Sequence, residues 1–224
     1  VEMTHYARNL FLFLLISFSL NAQYVVNSKH IVHPELNIDY VKRNADFWIN
    51  HAYDSVYGGF YSNIDQYGNI KTLQDVHTGK TYKRKSLIAQ TRQGYGMTRA
   101  FMLTGEDKYL TYAKSALDFL TTYGWDYTND GWFCFAREDG SLDNGQWWDP
   151  NTGKWGFQQH YALVGLIANY EATHNASVKQ WVDKGMNSLN NHMWDSRPGF
   201  EGYYADAALN WTSPTGKGFT PTVD

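Results

Sequence analysis

The chain has 224 residues, 43% of them hydrophobic and 17% aromatic, which is enough to bury a core in one domain or two small ones and excludes an intrinsically disordered chain. Nineteen Lys and Arg against 22 Asp and Glu give a net charge of -3 and are mixed along the chain with no basic face, which argues against nucleic acid as a partner. The single cysteine, Cys134, rules out an intrachain disulfide, so stability has to come from packing.

Residues 1–22 read as a secretory signal peptide. Met3 to Asn9 is short and carries one Arg, Leu10 to Leu20 is almost wholly apolar, and Asn21-Ala22-Gln23 offers a cleavage point. The apolar core is short for a membrane span, so the expected location is secreted or periplasmic, with no membrane association after cleavage. Residues 23–37 are expected to be an extended lead-in, because Pro34 interrupts any helix there.

From residue 38 a repeat begins. A helix is predicted over Ile38 to His51. It is followed by Asp54 and then Gly58-Gly59-Phe60-Tyr61, a turn opening into a short strand or hairpin that closes at Asp65 to Asn69. A second helix is predicted over Lys85 to Leu103, with Leu87, Thr91, Gly94 and Thr98 on one stripe. Gly105 ends it. A third, over Glu106 to Thr122, buries Tyr109, Ala113, Ala116 and Leu120, and the short turn between the two makes them antiparallel. The Asp-Gly-aromatic phrase then returns at Asp126 to Phe133, and helices over Gln158 to Thr173 and Ser177 to His192 precede its third occurrence at Asp195 to Tyr204.

The three aspartates, Asp54, Asp126 and Asp195, lie 72 and 69 positions apart. Shifting the stripe Tyr109, Ala113, Ala116, Leu120 by 69 lands on Val178, Val182, Gly185, Leu189, the same buried face of a later helix. A period near seventy is long for the units of an open solenoid, so the predicted fold is all-α, a closed toroid of helical hairpins with loops forming a cup at one end.

Three stretches resemble the N-acylglucosamine 2-epimerase superfamily, which includes cellobiose 2-epimerases and mannose isomerases. They are Phe47-Trp48 through Asp54 to Tyr61, then Lys85 to Arg92 with the triplet Gln90-Thr91-Arg92, then Phe157 to Tyr161 leading to Tyr170-Glu171-Ala172-Thr173. The resemblance implies an (α/α)6 barrel, of which residues 38–224 are the amino-terminal portion. It also implies proton transfer at C2 of an open-chain mono- or disaccharide through an enediolate, with histidine as base and no cofactor. Arg92 matches the family's active-site arginine, whose planar fork of donors suits a developing enediolate. Phe157 aligns with an aromatic of the sugar site, and Gln90, Tyr95, His160 and Tyr161 are further candidates for the cup wall. Ile88 stands where many members have tryptophan. The family's catalytic histidines follow a stretch similar to Thr220-Pro221-Thr222-Val223-Asp224, so none of the eight histidines here is assigned as the base, and the chain is expected to be an inactive fragment. The resemblance leaves room for a homodimer of the full-length protein.

Other chemistry is less well supported. His30 and His33 have a ligand-like spacing but no third partner, and no zinc, nucleotide or acyl-transfer motif is present. Helical toroids also host glycoside hydrolases, for which Asp126, Asp130, Glu138, Asp139, Asp149, Asp195 and Glu201 supply loop carboxylates. A carboxylate recurring once per unit points instead to turn chemistry. A helical scaffold that holds glycan without turning it over is the third reading.

Overall fold

The computed structural model describes residues 28–147 and 150–217, and the chain divides into two units between Asn37 and Ile38. The expected signal peptide lies outside the described residues. The expected extended lead-in is corrected where it is described. Lys29–Val32 forms a single helical turn, α1, and the next helix, α2 (Glu35–Ala52), starts directly after Pro34 rather than at Ile38. Proline breaks a helix that runs into it, but its fixed φ suits the beginning of the one that follows.

Four more helices build the second unit: α3 (Leu87–Thr104), α4 (Asp107–Tyr123), α5 (Gly156–Thr173) and α6 (Ala176–Met193). Their hairpin turns use the same device. Gly105 and His174 both adopt left-handed backbone, φ 71° and 50°, and each N–H returns to the carbonyl four residues back, at 2.7 Å. α3 and α5 stand side by side and parallel. Thr91 Oγ1 accepts from Gly165 N–H at 2.8 Å, and Asn169 Nδ2 donates to Thr98 Oγ1 at 3.2 Å further along. A β-carbon on Gly165 would lie 2.3 Å from the Thr91 carbonyl oxygen, so glycine sets the distance between the two helices.

The outer helix α4 serves two cores. Tyr109, Ala113 and Ala116 pack with Ala45 and Ala52 of α2 and with Phe60, whereas Leu117, Phe119 and Leu120 join Trp125, Trp132, Ala162 and Leu166. The predicted stripe on α4 is fully buried, and Leu163 and Leu166 of α5 are buried while Ile167 is 41% exposed.

Short strands at the amino-terminal ends of α3 and α5 are what the helical pattern concealed. β1 (Leu73–Gln74) pairs with β2 (Thr81–Tyr82), and β3 (Arg84–Ser86) pairs with β4 (Phe135–Arg137). β5 (Gly153–Trp155) pairs with β7 (Gly202–Ala208), which also pairs with β6 (Trp194–Asp195) and β8 (Thr215–Lys217). Lys85, expected to open a helix, therefore sits in β3, and α3 begins two residues later.

Its side chain explains the strand. Lys85 is fully buried, with Nζ 2.7 Å from Asp54 Oδ2, 2.6 Å from the Gly58 carbonyl and 2.9 Å from the Glu138 carbonyl. Lys154, 69 positions later in β5, is equally buried and holds Asp126 Oδ2 at 2.8 Å. Asp54 and Asp126 spend their other oxygen on the turn, Asp54 Oδ1 accepting from Val56 and Tyr57 N–H and Asp126 Oδ1 from Thr128 and Asn129 N–H. Burial works against the charged carboxylates, yet the ammonium and these donors hold both below the usual carboxylate range. In the third unit Asp195 is met by Arg197 of its own turn, Nη2 to Oδ2 at 2.7 Å.

Lys154→Met strands the buried Asp126 charge and should cost about 3–5 kcal/mol in urea unfolding, whereas Lys154→Met combined with Asp126→Asn recovers part of the loss. A cost under about 1 kcal/mol for the single change would mean that the pair is not a structural staple.

A second ionic contact gives a pH dependence. The Arg137 guanidinium, 2.5 Å from Asp75 Oδ2, lowers the Asp75 carboxyl from 3.8 to about 2, helped by the His77 and Thr78 N–H groups. A carboxyl depressed by folding stabilises the protein above its unfolded pKa and loses that contribution as pH falls toward the folded one. Stability measured by denaturant titration should therefore decline between about pH 4 and pH 2, and Asp75→Asn should flatten that part of the profile.

Candidate active site

The amino-terminal turns of the inner helices α3 and α5 meet through their side chains. On α3 the residues there are Ile88 and Arg92, and on α5 the register-equivalent residues, 69 positions later, are Phe157 and Tyr161. The structure brings three of the sequence candidates together. The Arg92 guanidinium lies over the Tyr161 ring at 4.7 Å, and Tyr161 meets Phe157 at 4.5 Å. Arg92 is exposed and makes no ion pair with a described residue. Two turns deeper on α3, Arg99 does the opposite, with Nη2 held by Glu171 Oε2 at 2.8 Å and its guanidinium over Tyr95. A guanidinium that rests on an aromatic face with all its N–H donors open is arranged to receive oxygen atoms of a ligand. Arg92 also borders a groove of about 710 Å³ between α2 and α3, lined by Tyr40, Val41, Trp48, Ile88 and Gln93 among others.

Two candidates are corrected. Gln90 is fully buried and faces the outer layer, where its Oε1 accepts from Phe60 N–H at 2.8 Å and its Nε2 donates to the Phe60 carbonyl at 2.6 Å. Gln159 repeats the contact with Trp132, at 2.7 and 2.9 Å. An amide side chain thus completes a two-bond ladder with one residue of each of the first two Gly-aromatic loops. A β-carbon on Gly59 or Gly131, both at positive φ, would lie 2.7 or 2.9 Å from the glutamine oxygen, so the glycine and glutamine require one another. His160 is also buried, 4% exposed, with Nδ1 bonded to the Gly156 carbonyl at 2.7 Å and its ring edge-on to Tyr203 at 4.9 Å. Burial pushes its imidazole below the usual histidine range, with the Gly156 carbonyl pulling the other way, which favours the neutral ring. Helical spacing alone did not separate positions 90 and 160 from 92 and 161, because one or two residues turn a helical side chain by 100–200° and both stripes are aromatic-rich or polar.

The loop carboxylates other than the exposed Asp130 are occupied where they are described. Asp126 and Asp195 hold cations, Glu138 Oε2 accepts from Lys83 N–H at 2.7 Å, Asp139 from Ser141, and Glu201 from Gly199 N–H at 3.0 Å. Asp149 lies outside the described residues.

Residues 59–216 match the family model described as N-acylglucosamine 2-epimerase (GlcNAc 2-epimerase). The chain belongs to the N-acylglucosamine 2-epimerase family. Among curated proteins it is 31% identical over 127 residues to cellobiose 2-epimerase of Eubacterium cellulosolvens, which covers 57% of this chain and 27% of that protein. It is 28% identical over 119 residues to human spermatogenesis-associated protein 20, 51% of this chain and 14% of that one. Among solved structures, cellobiose 2-epimerase from Spirochaeta thermophila superposes with TM-score 0.63 at 21% identity, over 84% of this chain and 43% of the other. A D-mannose isomerase gives 0.60 at 14% identity, over 87% and 44%. A family 76 α-mannanase from Bacteroides thetaiotaomicron gives 0.53 at 15%, over 73% and 40%. The chain thus spans less than half the length of these relatives. The fold of this N-acylglucosamine 2-epimerase family member is the all-α (α/α)6 barrel architecture, represented by the helical hairpins described above.

The contrast between positions 90 and 92 is measurable. Gln159→Ala or Gln90→Ala leaves buried backbone groups unpaired and should lower unfolding stability by about 1–3 kcal/mol. Arg92→Ala, on an exposed face, should change it by less than about 0.5 kcal/mol while weakening sugar binding. The reverse pattern would exchange their roles.

Proposed function

We propose that this chain supplies one wall of the sugar site of a 2-epimerase or aldose–ketose isomerase acting on the open-chain reducing end of a mono- or disaccharide. The observation that carries the reading is the open Arg92 guanidinium on Tyr161 beside Phe157, in a chain of a sugar-epimerase family. The proton on the carbon next to a sugar carbonyl is only weakly acidic. Its removal requires a base poised near neutral pH and a group that stabilises the charge developing on the two adjacent oxygens. Arg92 has the planar donor pair for those oxygens, and Tyr161 and Phe157 give the apolar face against which a sugar chain lies. Return of the proton to the opposite face of C2 gives the epimer, and delivery to C1 converts the aldose to the ketose.

The base belongs elsewhere. Among the described residues no histidine lines the groove beside Arg92, and His160 is buried against Gly156 and Tyr203. The reading therefore assigns proton transfer to histidines outside the described residues, with the 224-residue chain inactive by itself. Residues 1–22 belong to the same proposal as an export signal, which places the activity in the periplasm or outside the cell.

Two arms test this. In the protein as it is made in the cell, mannose, glucose or cellobiose in deuterium oxide should gain deuterium at C2 without glycosidic cleavage. Arg92→Ala should reduce kcat/KM by about 10²- to 10³-fold, the usual cost of one lost oxyanion donor. Measurable incorporation by the 224-residue chain alone would place the base within it and sink that part of the reading. The fold likeness to a family 76 α-mannanase supports hydrolysis as the second reading, for which release of reducing ends from an oligosaccharide is the decisive result.

A further inference from the structure

Trp147 is 87% exposed, and its indole makes no hydrogen bond, ring contact or cation contact with a described residue. The chain beneath it is held unusually firmly for a loop. Asp143 is buried and accepts from the Tyr82 hydroxyl at 2.7 Å, from Gly145 N–H at 3.0 Å and from the Arg84 guanidinium. Asn151 Nδ2 donates to the Asp143 carbonyl at 3.0 Å, and Val76 N–H donates to the Gly145 carbonyl at 2.9 Å. Gln146 Nε2, adjacent to the tryptophan, reaches the Gln74 carbonyl and the Tyr82 hydroxyl, both at 3.0 Å. The backbone is therefore tied to the β1–β2 hairpin and to β3 as far as Gln146, and the next side chain is left uncovered.

That anchoring also fixes which end of the unit the ring occupies. β3 runs directly into α3, and Arg92 lies five residues beyond Leu87, roughly 8 Å along the helix axis. The loop and the open guanidinium are at the same end of α3. A flat apolar face with a polar N–H edge, held in place and left bare, has the chemistry that packs against the C–H face of a pyranose.

We infer that Trp147 stacks on the sugar ring next to the one held by Arg92 and so sets a preference for a disaccharide or longer reducing oligosaccharide over a monosaccharide. The inference rests on the epimerase or isomerase reading of the Arg92 site. An exposed ring without contacts contributes little to the fold, so variants at this position remain folded.

The test uses the protein as it is made in the cell. The Trp147 indole N–H resonance, assigned by its disappearance in Trp147→Phe, is followed during titration with cellobiose or mannobiose and, separately, with glucose or mannose. The disaccharides should shift it and the monosaccharides should not. By calorimetry Trp147→Ala should raise the disaccharide Kd about tenfold, or about 1.4 kcal/mol, and Trp147→Phe should restore most of the affinity. Disaccharide binding that depends on Arg92 but leaves the Trp147 resonance and Kd unmoved would overturn this inference while leaving the epimerase reading intact. An indole already shielded from acrylamide in the free protein would overturn it as well. Failure of every sugar to bind would remove both.

Discussion

A buried lysine bound to a buried aspartate is the contact on which the second unit depends. Lys85 and Lys154 stand in short strands immediately before the inner helices, and each reaches back to the turn of the preceding Asp-Gly-aromatic loop. One ammonium thus ties three things together, the end of an outer helix, the loop that follows it and the start of the next inner helix. An ion pair in such a place gains no stability over well-packed apolar residues. What it supplies is geometry, because an unpaired charge there is costly and few arrangements of the loop keep both partners satisfied. The aromatic rings around it, Phe119 at 4.3 Å from Lys85 Nζ and Phe133 at 4.7 Å from Lys154 Nζ, reduce the cost of burial by facing the cation.

Around that staple the unit is built twice with the same parts. The glutamine ladder at Gln90 and Gln159, the left-handed glycines Gly59 and Gly131, and the left-handed helix ends Gly105 and His174 all recur at the period of the chain. Residues that recur in register do a job required of every unit, which is to hold a loop to a helix. Among the positions that fail to recur are Ile88 against Phe157 and Arg92 against Tyr161, where the two inner helices meet. A ring of equivalent hairpins has one site at its centre, so each hairpin contributes a different side chain to it. Departure from the repeat is accordingly a better guide to the site than the repeat itself.

The helices were legible in the sequence because their buried faces follow a helical period over four or five turns, and the termini fell within two or three residues of prediction. The stripe Tyr109, Ala113, Ala116, Leu120 is wholly buried for that reason. The short strands that lead into the inner helices were not legible, since three residues such as Arg84 to Ser86 carry no periodic signal and their pairing partners, Phe135 to Arg137, lie far along the chain. Gln90 illustrates a different limit. Its place in the triplet Gln90-Thr91-Arg92 made it a neighbour of the site in sequence, but its side chain leaves the helix on the other side. The signal that would have separated it was present, because Gln159 occupies the same register position and a substrate contact has no reason to be duplicated.

Arg92 and Arg99 sharpen the same argument on a single helix. They are seven residues apart, two turns along nearly one face, and both lie over a tyrosine ring. Arg99 is neutralised by Glu171, a residue that the parallel packing of α3 and α5 brings across from the neighbouring helix. At the level of Arg92 the neighbouring helix offers Tyr161 instead. The ring supports the guanidinium through its face without consuming a single N–H donor, so the cation is positioned and still unsatisfied. A carboxylate in that place would have given a more favourable surface pair and closed the donors to any ligand. The uncompensated charge is therefore where binding energy remains to be gained, and in the function proposed above the oxygens of an enediolate take it.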